Sequence, residues 1–205
     1  MLGLAPLDVL LVRHAEAVPV GTEGTSDAGR PLTPEGRSAA AELASELDDY
    51  GVTAIYSSPY ARAVDTVTAL GQRRGMDVQV LDDLRERVLN LEPADDWEST
   101  LKRSWDDPDF AVTGGESGRE AQRRAVGVLD LLRSRHPDGG RLVLGSHGNL
   151  IGLILQALDS EVGYAFHMAM PNPAVYRITH DGTRWKITGG HGFGPAEGEL
   201  APGLR

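Results

Sequence analysis

The sequence predicts an α/β fold with a mostly parallel central sheet, flanked by helices on both faces and followed by a C-terminal β-hairpin. Short apolar runs alternate with amphipathic helical segments through most of the chain, a pattern typical of parallel strands joined by helices. The first run, residues 9–12, is apolar without alternation, as in a strand that is buried on both faces. Two β-type segments flank Asp181-Gly182 near the end of the chain, which is a hairpin signal.

Length and composition favour a single domain spanning residues 1–205, long enough to bury a substantial core. Cysteine is absent, which excludes disulfides, thiolate metal sites and cysteine nucleophiles and fits a reducing, cytoplasmic location. The net charge of −10 argues against nucleic acid or an anionic membrane as a partner. No apolar run reaches the roughly 18 residues of a membrane span, and no secretory signal is expected.

Start and stop signals delimit the predicted elements. Thr33 has the residue type of a helix N-cap, and Pro34 follows at the first helical position. Ser117 and Glu120 have the spacing of a capping box, and Gly75 closes an earlier helix. The predicted elements are, in chain order, a strand at 8–13, a helix at 34–49, a strand at 52–56, a helix at 59–73, a strand at 78–81, a helix at 117–135, a strand at 141–145, a helix at 149–158 and hairpin strands at 174–179 and 184–188.

The segment from residue 84 to residue 113 is the least periodic part of the chain. It contains Pro93, Pro108, Trp97, Trp105 and many acidic side chains. We expect an irregular, partly helical insertion that carries a solvated acidic face. It should lie over the carboxyl ends of the strands, where an active site would be. The two tryptophans are expected to be core anchors or to contact a substrate.

Basic side chains follow three of the predicted strands. Arg13 and His14 come at the end of the first strand, Arg62 lies one turn into the helix after the second, and His147 follows a later strand. The carboxyl ends of parallel strands meet at one edge of a sheet, where ligands bind. Burying such groups without a counter-charge is costly. We therefore expect the four side chains to surround one anion, and a phosphate fits the planar donor fork of arginine.

Six ordered segments resemble the histidine phosphatase superfamily, also called phosphoglycerate-mutase-like, and the resemblance spans about residues 8–150. The matching segments are Arg13-His14, residues 31–37, residues 57–63 with Thr66 behind them, residues 84–86, residues 114–117 and residues 146–149. The resemblance implies that His14 is the nucleophile that takes the phosphoryl group. It also implies that Glu86 protonates the leaving oxygen. The rest of the implied phosphate pocket is Arg13, Arg62, His147 and Gly148.

Two features leave the identity of the acid open. Many relatives follow the glutamate with a glycine and then Trp-Glu-Gly, whereas residues 87–91 here read Arg-Val-Leu-Asn-Leu. Asp27 is a rival, because residues 27–33 resemble the small phosphohistidine phosphatases of the same superfamily, which act on phosphoprotein and lack the usual acid. Val20 stands where many members carry an asparagine that contacts the phosphate.

The sequence thus predicts a metal-independent phosphomonoesterase that hydrolyses a phosphorylated small molecule through a phosphohistidine on His14. No cofactor and no metal are expected, and a homodimer is possible. The alternatives are a phosphohistidine-protein phosphatase and a phosphoglycerate-mutase-type phosphotransferase. The stretch between Glu86 and His147 is poor in bases, and a mutase needs extra basic residues to hold a bisphosphate, so the phosphatase is favoured.

The remaining histidines and serines are expected to be structural. Ser57 and Ser58 have the residue type and position of cap and turn residues. Solvated or packing roles are predicted for the histidines outside the motifs, which are His136, His167, His180 and His191. The tail from residue 189 is rich in glycine and proline and is expected to end in a mobile segment.

Overall fold

A six-stranded sheet forms the centre of the computed structural model, which describes residues 6–89 and 96–191. The strands are β1 (Leu7–Arg13), β2 (Ala54–Ser57), β3 (Val78–Val80), β4 (Gly140–Ser146), β5 (Ala174–His180) and β6 (Trp185–Gly190). The helices are α1 (Pro34–Glu46), α2 (Ala61–Arg74), α3 (Trp97–Asp106), α4 (Gly118–Arg135), α5 (Gly148–Leu158) and α6 (Tyr164–Ala169). None of the described helices is long and apolar enough to cross a membrane.

The strand order is β3-β2-β4-β1-β5-β6, and the first four of these strands are parallel. β5 pairs with β1 in the antiparallel sense and forms a hairpin with β6. The predicted fold class is therefore confirmed, including the C-terminal hairpin. Because β2, β4 and β1 are parallel neighbours, the loops after them open at the same edge of the sheet.

The sheet divides the hydrophobic core into two layers. Leu7, Val9 and Leu11 of β1 pack among side chains of α3, α4 and α5. The alternate residues Leu10 and Val12 pack among side chains of α1 and α2. Successive side chains of a strand point to opposite faces, so a strand in the middle of this sheet must be apolar throughout. This explains the unbroken apolar run near the start of the sequence.

Some predicted boundaries were wrong by a few residues. α1 ends at Glu46 and is followed by a short 3₁₀ turn, Asp48–Tyr50, which Gly51 closes with a left-handed φ of 74°. α2 begins two residues later than predicted, because the backbone of Tyr60 is still extended. The helix α6 was not predicted, since six residues are too few to show helical periodicity. β6 continues to Gly190, into the segment expected to be tail.

The segment predicted as an insertion is partly helical in its described portion. α3 occupies its centre, and residues 90–95 lie outside the described residues, as do residues 192–205 of the predicted tail. The buried guanidinium of Arg87 ties the segment together by donating to the backbone carbonyls of Ser104, Phe110 and Glu116. Val88 and Leu101 from this segment line the pocket at the carboxyl edge of the sheet.

Candidate active site

The structure brings the predicted cationic and imidazole groups together at the carboxyl edge of the sheet. Arg13 is the last residue of β1, Arg62 is the second residue of α2, and His147 lies between β4 and α5. The ring centroids of His14 and His147 are 5.3 Å apart, although the two residues are far apart in the chain. These side chains meet because β2, β4 and β1 are parallel neighbours whose carboxyl ends lie at one edge of the sheet.

His14 is held with one ring nitrogen free of a proton. Its backbone N–H donates to Ser146 O at 3.0 Å, which extends the pairing of β1 with β4. Nδ1 lies 2.7 Å from Ala15 O, so Nδ1 carries the proton and donates it. Nε2 then has a lone pair, which accepts a hydrogen bond from Arg62 Nε at 3.1 Å. This arrangement assigns one tautomer, with Nε2 as the atom available for attack.

Burial and positive charge keep the His14 ring neutral. Burial lowers its pKa most, the hydrogen bond to Ala15 opposes this, and the charges of Arg62 and Arg13 lower it further, to about 3. The imidazole is therefore uncharged at neutral pH, with the lone pair that a nucleophile requires.

Arg62 is buried, and two contacts orient its guanidinium group. Nη1 donates to the backbone carbonyl of Asp27 at 2.7 Å, and its guanidinium lies over the ring of Tyr60. Thr66, one turn further along α2, accepts from the Ala15 N–H at 3.0 Å and donates to Arg62 O at 2.7 Å. Thr66 thereby links the start of α2 to the end of β1, which positions Arg62 relative to His14.

Arg13 and Gly148 form a close contact that a side chain at position 148 would crowd. The Arg13 guanidinium donates to the carbonyls of Met170 and Pro171. A Cβ atom added at Gly148 would lie 3.0 Å from Arg13 Nε and 3.1 Å from its Cζ. Glycine at the start of α5 therefore lets the guanidinium lie against the helix N-terminus, where backbone N–H groups favour an anion.

His147 is fully buried behind His14. Its Nε2 lies 2.7 Å from Ser58 Oγ, which also accepts the Tyr60 N–H at 3.2 Å. We assign the Ser58 hydroxyl as the donor and Nε2 as the acceptor of this hydrogen bond, so Nδ1 carries the ring proton; in the described part of the chain Nδ1 has no partner. Burial, together with the charge of Arg62, lowers the His147 pKa well below its usual value. Ser58 thus has a contact beyond the turn role that the sequence predicted.

Glu86 caps the N-terminus of α5 from inside the pocket. Its Oε1 accepts the N–H groups of Arg87 at 2.9 Å and Leu150 at 3.0 Å, and Oε2 accepts that of Asn149 at 3.2 Å. Burial raises the pKa of this carboxyl group more than the three N–H donors lower it. A carboxyl group with a raised pKa can hold a proton near neutral pH and release it to a leaving group.

Asp27, the rival acid, is half-exposed and paired with arginine. Arg30 Nε donates to Asp27 Oδ1 at 2.9 Å, and Arg62 Nη1 lies 3.5 Å from the same oxygen. Arg30 also donates to Val18 O at 2.7 Å, and both Asp27 and Arg30 line the pocket. Arg30 was not predicted as a site residue, although it lies within the motif that made Asp27 a rival.

Three further polar residues of the pocket were missed by the sequence analysis. Asn172 Nδ2 donates to His14 O at 3.1 Å. His167, predicted to have a solvated or packing role, packs on Trp105 from α6 and in addition lines the pocket. Asn149 follows Gly148 and has its side chain buried at the pocket. Only Asn149 had a signal, through its place in the last of the six motifs.

The pocket has a volume of about 940 Å³, enough for a small organic molecule. Val20 lines the pocket and is 75% exposed. Its hydrocarbon side chain cannot make a polar contact to a phosphate. Within residues 6–89 and 96–191, no three His, Cys, Asp or Glu side chains are grouped as metal ligands. The lining residues are Arg13, His14, Glu16, Ala17, Val20, Asp27, Arg30, Arg62, Glu86, Val88, Leu89, Leu101, Asn149, His167 and Asn172.

Comparisons with known proteins agree with this fold. A probable phosphoglycerate mutase of Cronobacter sakazakii is 28% identical over 197 residues, which cover 89% of each chain. The structure of a mycobacterial glucosyl-3-phosphoglycerate phosphatase superposes with a TM-score of 0.68 at 25% identity, over 89% of this chain and 97% of that one.

At 16% identity, a phosphoglycerate mutase of Bacillus anthracis shares the fold, with a TM-score of 0.73 over 90% of this chain and 92% of its own. The family model described as histidine phosphatase superfamily (branch 1) matches residues 9–190, which include every site residue described above. With this match, and with two imidazoles and three guanidinium groups gathered at one sheet edge, the chain belongs to the histidine phosphatase superfamily, branch 1.

Proposed function

We propose that this protein is a metal-independent phosphomonoesterase that hydrolyses a phosphorylated small molecule through a phosphohistidine on His14. The observation that carries the proposal is the geometry of His14, whose Nδ1 lies 2.7 Å from Ala15 O and whose Nε2 lies 3.1 Å from Arg62 Nε. The positive charges of Arg62, Arg13 and Arg30 all act on this ring. A neutral nucleophile among fixed cations suits attack on a phosphate, because the cations stabilise the charge on the equatorial oxygens.

In the first step, His14 Nε2 attacks phosphorus and the bond from phosphorus to the ester oxygen breaks. The Arg62 N–H that occupies Nε2 in the free enzyme moves to a phosphate oxygen. The ring gains positive charge as the N–P bond forms, and the Nδ1 contact with Ala15 O stabilises that charge. Glu86 gives its proton to the departing oxygen, so that an alcohol rather than an alkoxide leaves.

In the second step, water attacks the phosphorus of phosphohistidine. Glu86, now a carboxylate, takes a proton from this water, the N–P bond breaks, and the electron pair returns to Nε2. Inorganic phosphate leaves and the starting protonation states are restored. The unpartnered Nδ1–H of His147 behind His14 is the further donor that we assign to a phosphate oxygen.

The pocket favours hydrolysis over the phosphotransfer of a mutase. A bisphosphate needs cations at two places. The arginines among the described lining residues are Arg13, Arg30 and Arg62, and the charges of all three act on the ring of His14, so they serve one phosphate. Asp27 already pairs with Arg30 and Arg62. A phosphohistidine protein as substrate is also disfavoured, since imidazole leaves without an acid and Glu86 faces this pocket.

Trapping of the covalent intermediate tests the proposal. The protein is mixed with ³²P-labelled phenyl phosphate and quenched in alkali, since phosphohistidine is labile in acid, and the labelled peptide is identified by mass spectrometry. We expect label on His14, none in His14→Asn, and a fall in turnover of about 10³-fold or more in that variant. Label on another residue, or turnover without label, would overturn the proposal.

Two additions to the same assay separate the alternatives. EDTA is expected to leave turnover unchanged, since fixed guanidinium groups take the place of a metal. Addition of an acceptor alcohol is expected to leave the yield of inorganic phosphate unchanged. Loss of activity in EDTA would refute metal independence, and quantitative transfer to the alcohol would identify a phosphotransferase.

A further inference from the structure

The pocket contains a group of uncharged side chains that the reaction steps above do not use. We call this group the neutral wall, and it consists of Val88, Leu89, Leu101, Asn149 and His167. Its members come from the segment after Glu86, from α3, from the start of α5 and from α6. Three are aliphatic, and the other two carry neutral groups that can donate or accept hydrogen bonds.

The His167 ring is held rigidly and without charge. It stacks on Trp105 with ring centroids 5.2 Å apart and an interplanar angle of 28°. Burial, followed by the charge of Arg13, lowers the pKa of the ring to about 4. A hydrogen bond with the Gly148 backbone raises this pKa and only partly offsets the lowering. The Nδ1 atom of His167 is buried and has no partner within the described residues. The pocket is therefore lined at this position by a neutral ring whose Nδ1 has no partner within the described residues.

The Asn149 side chain also lacks partners. The residue is 1% exposed, and neither its Nδ2 nor its Oδ1 makes a hydrogen bond to any described group. Its backbone N–H binds Glu86 Oε2 at 3.2 Å, which places it beside the proposed proton donor. Leaving both halves of a buried amide unpaired is costly, so a polar group of the substrate is the expected partner, at the side where the alcohol leaves.

The carboxyl groups of the pocket already have hydrogen-bond or ion-pair partners. Glu86 accepts three N–H groups, Asp27 pairs with Arg30 and Arg62, and Glu16 Oε2 accepts the Thr33 hydroxyl at 3.0 Å. Among the described carboxylates of the lining, only the exposed Glu16 has neither a cationic partner nor backbone N–H donors, and no member of the neutral wall carries a charge. The basic side chains of the described lining are used for the phosphate, so none is left for a second anionic group.

We propose that the neutral wall binds the leaving group and selects an uncharged alcohol that has an apolar face and a hydroxyl or carbonyl group near the ester oxygen. His167 is the specificity-determining residue, and the Asn149 amide pairs with the hydroxyl or carbonyl. This inference rests on the proposed function, whose reacting groups it extends to the alcohol half of the substrate.

The first test compares three small esters that differ in the charge of the alcohol. They are glycerol 3-phosphate, which is neutral in this half, 3-phosphoglycerate, which carries a carboxylate, and phosphoethanolamine, which carries an ammonium group. We expect kcat/KM for glycerol 3-phosphate to exceed that for each charged ester by at least about tenfold, since specificity is a ratio of kcat/KM values. A charged ester that matches or exceeds the neutral one would overturn the inference.

The second test moves the specificity. His167→Arg places a cation in the neutral wall and is expected to raise the ratio of kcat/KM for 3-phosphoglycerate over glycerol 3-phosphate by about tenfold or more. Met168→Arg is the matched control, because it adds the same charge at the exposed neighbouring residue of α6. An equal change of the ratio in both variants, or no change in His167→Arg, would show that His167 does not set specificity.

The third test asks whether the Asn149 amide serves the substrate or the fold. Asn149→Leu keeps the branched shape of the side chain and replaces two unpaired polar atoms by methyl groups, so we expect Tm to stay unchanged or to rise by about 2–4 °C. The kcat/KM for glycerol 3-phosphate is expected to fall about tenfold, with a much smaller change for phenyl phosphate, which has no hydroxyl to pair. A lowered Tm with equal losses on both esters would assign the amide a structural role.

Failure of this inference is distinguishable from failure of the proposed function. Hydrolysis of phenyl phosphate through label on His14, combined with preference for a charged alkyl ester, would refute only the neutral wall. Absence of both hydrolysis and label would refute the proposed function, and the inference with it.

Discussion

At the scale of single residues, the chemistry of the pocket depends on which groups hold a proton. Ala15 O accepts a hydrogen bond from the protonated Nδ1 of His14, and Arg62 donates to Nε2. The same burial that keeps His14 neutral raises the pKa of Glu86. Desolvation disfavours the charged form of both a histidine and a carboxylic acid. One environment therefore prepares a nucleophile without a proton and an acid with one.

The contribution of Glu86 to kcat/KM is expected to increase with the basicity of the leaving oxygen. Glu86→Gln should lower kcat/KM for glycerol 3-phosphate by about 10²–10⁴-fold, the usual contribution of general acid catalysis. The loss for 4-nitrophenyl phosphate should be less than about tenfold, because its phenolate leaves without a proton. Activity of the wild type on the alkyl ester should fall as the pH rises through the pKa of Glu86, since only the protonated carboxyl donates.

Asp27→Asn is the matched control for Glu86→Gln. It removes the other candidate acid and weakens the orientation of Arg30 and Arg62, so both esters should lose activity by a similar factor. If Asp27→Asn instead reduces only the alkyl ester, Asp27 is the acid and the assignment of Glu86 is wrong. Tm of each variant is measured alongside to detect misfolding.

At the scale of elements, α5 positions both halves of the pocket. Its N-terminal N–H groups bind Glu86, its first residue lies against the Arg13 guanidinium, and Asn149 lies in the pocket. One turn later, Gly152 receives the Trp105 indole on which His167 stacks. Two glycines in this helix thus serve close packing, one against a guanidinium and one against an aromatic ring.

Gly152→Ala is expected to displace Trp105, on which His167 of the neutral wall stacks. The new Cβ would lie 2.7 Å from Trp105 Cη2, and the rigid ring would have to move. We expect a loss of about 1–3 kcal/mol in the free energy of unfolding. The shift of the indole should also move His167 and raise KM more than it lowers kcat. Urea denaturation and steady-state kinetics measure the two effects.

Gly127→Ala provides the comparison for this helix substitution. Gly127 lies inside α4, and a Cβ there meets no atom within 4 Å. Removing a helical glycine without a clash should increase stability by about 0.5–1 kcal/mol and leave KM unchanged. Equal stability of the two alanine variants would contradict the proposed packing of Trp105 on α5.

At the scale of the whole molecule, the buried imidazoles should make the fold sensitive to acid. The folded pKa is about 3 for His14, about 4 for His167 and well below the usual value for His147. In the unfolded chain each titrates near about 6.5, so below that pH the unfolded state binds more protons. Stability is therefore fully present above about pH 6.5 and is lost as the pH falls towards 4.

Thermal unfolding between pH 7.5 and pH 4.5 checks this prediction. Tm should fall steadily below about pH 6.5, and the fall should be shallower in His14→Asn, which has one imidazole fewer to protonate. The raised pKa of Glu86 acts in the opposite direction, because its folded state keeps a proton more readily than the unfolded chain. A Tm that is flat over this range would show that the rings are not buried in the neutral form.

Much of the fold was predictable because its signals are local. The capping box at Ser117 and Glu120 and the N-cap Thr33 with Pro34 each depend on a few neighbouring residues, and each is present in the structure. The unbroken apolar run of β1 showed that this strand is buried on both faces. The short helix α6 and the exact ends of α1 and α2 were not predictable, since tertiary packing decides where a helix stops.

The sequence alone determined that Arg13, His14 and His147 stand at strand ends, where parallel strands deliver them to one edge. Only the tertiary structure decided that Arg30 and His167 join the same pocket. Arg30 lies within the motif at residues 27–33, but no spacing marked its own side chain, and no motif surrounds His167. The positions of the two side chains depend on contacts with Asp27 and Trp105. Local sequence patterns encode burial and helix ends, whereas the meeting of distant side chains depends on how the elements pack.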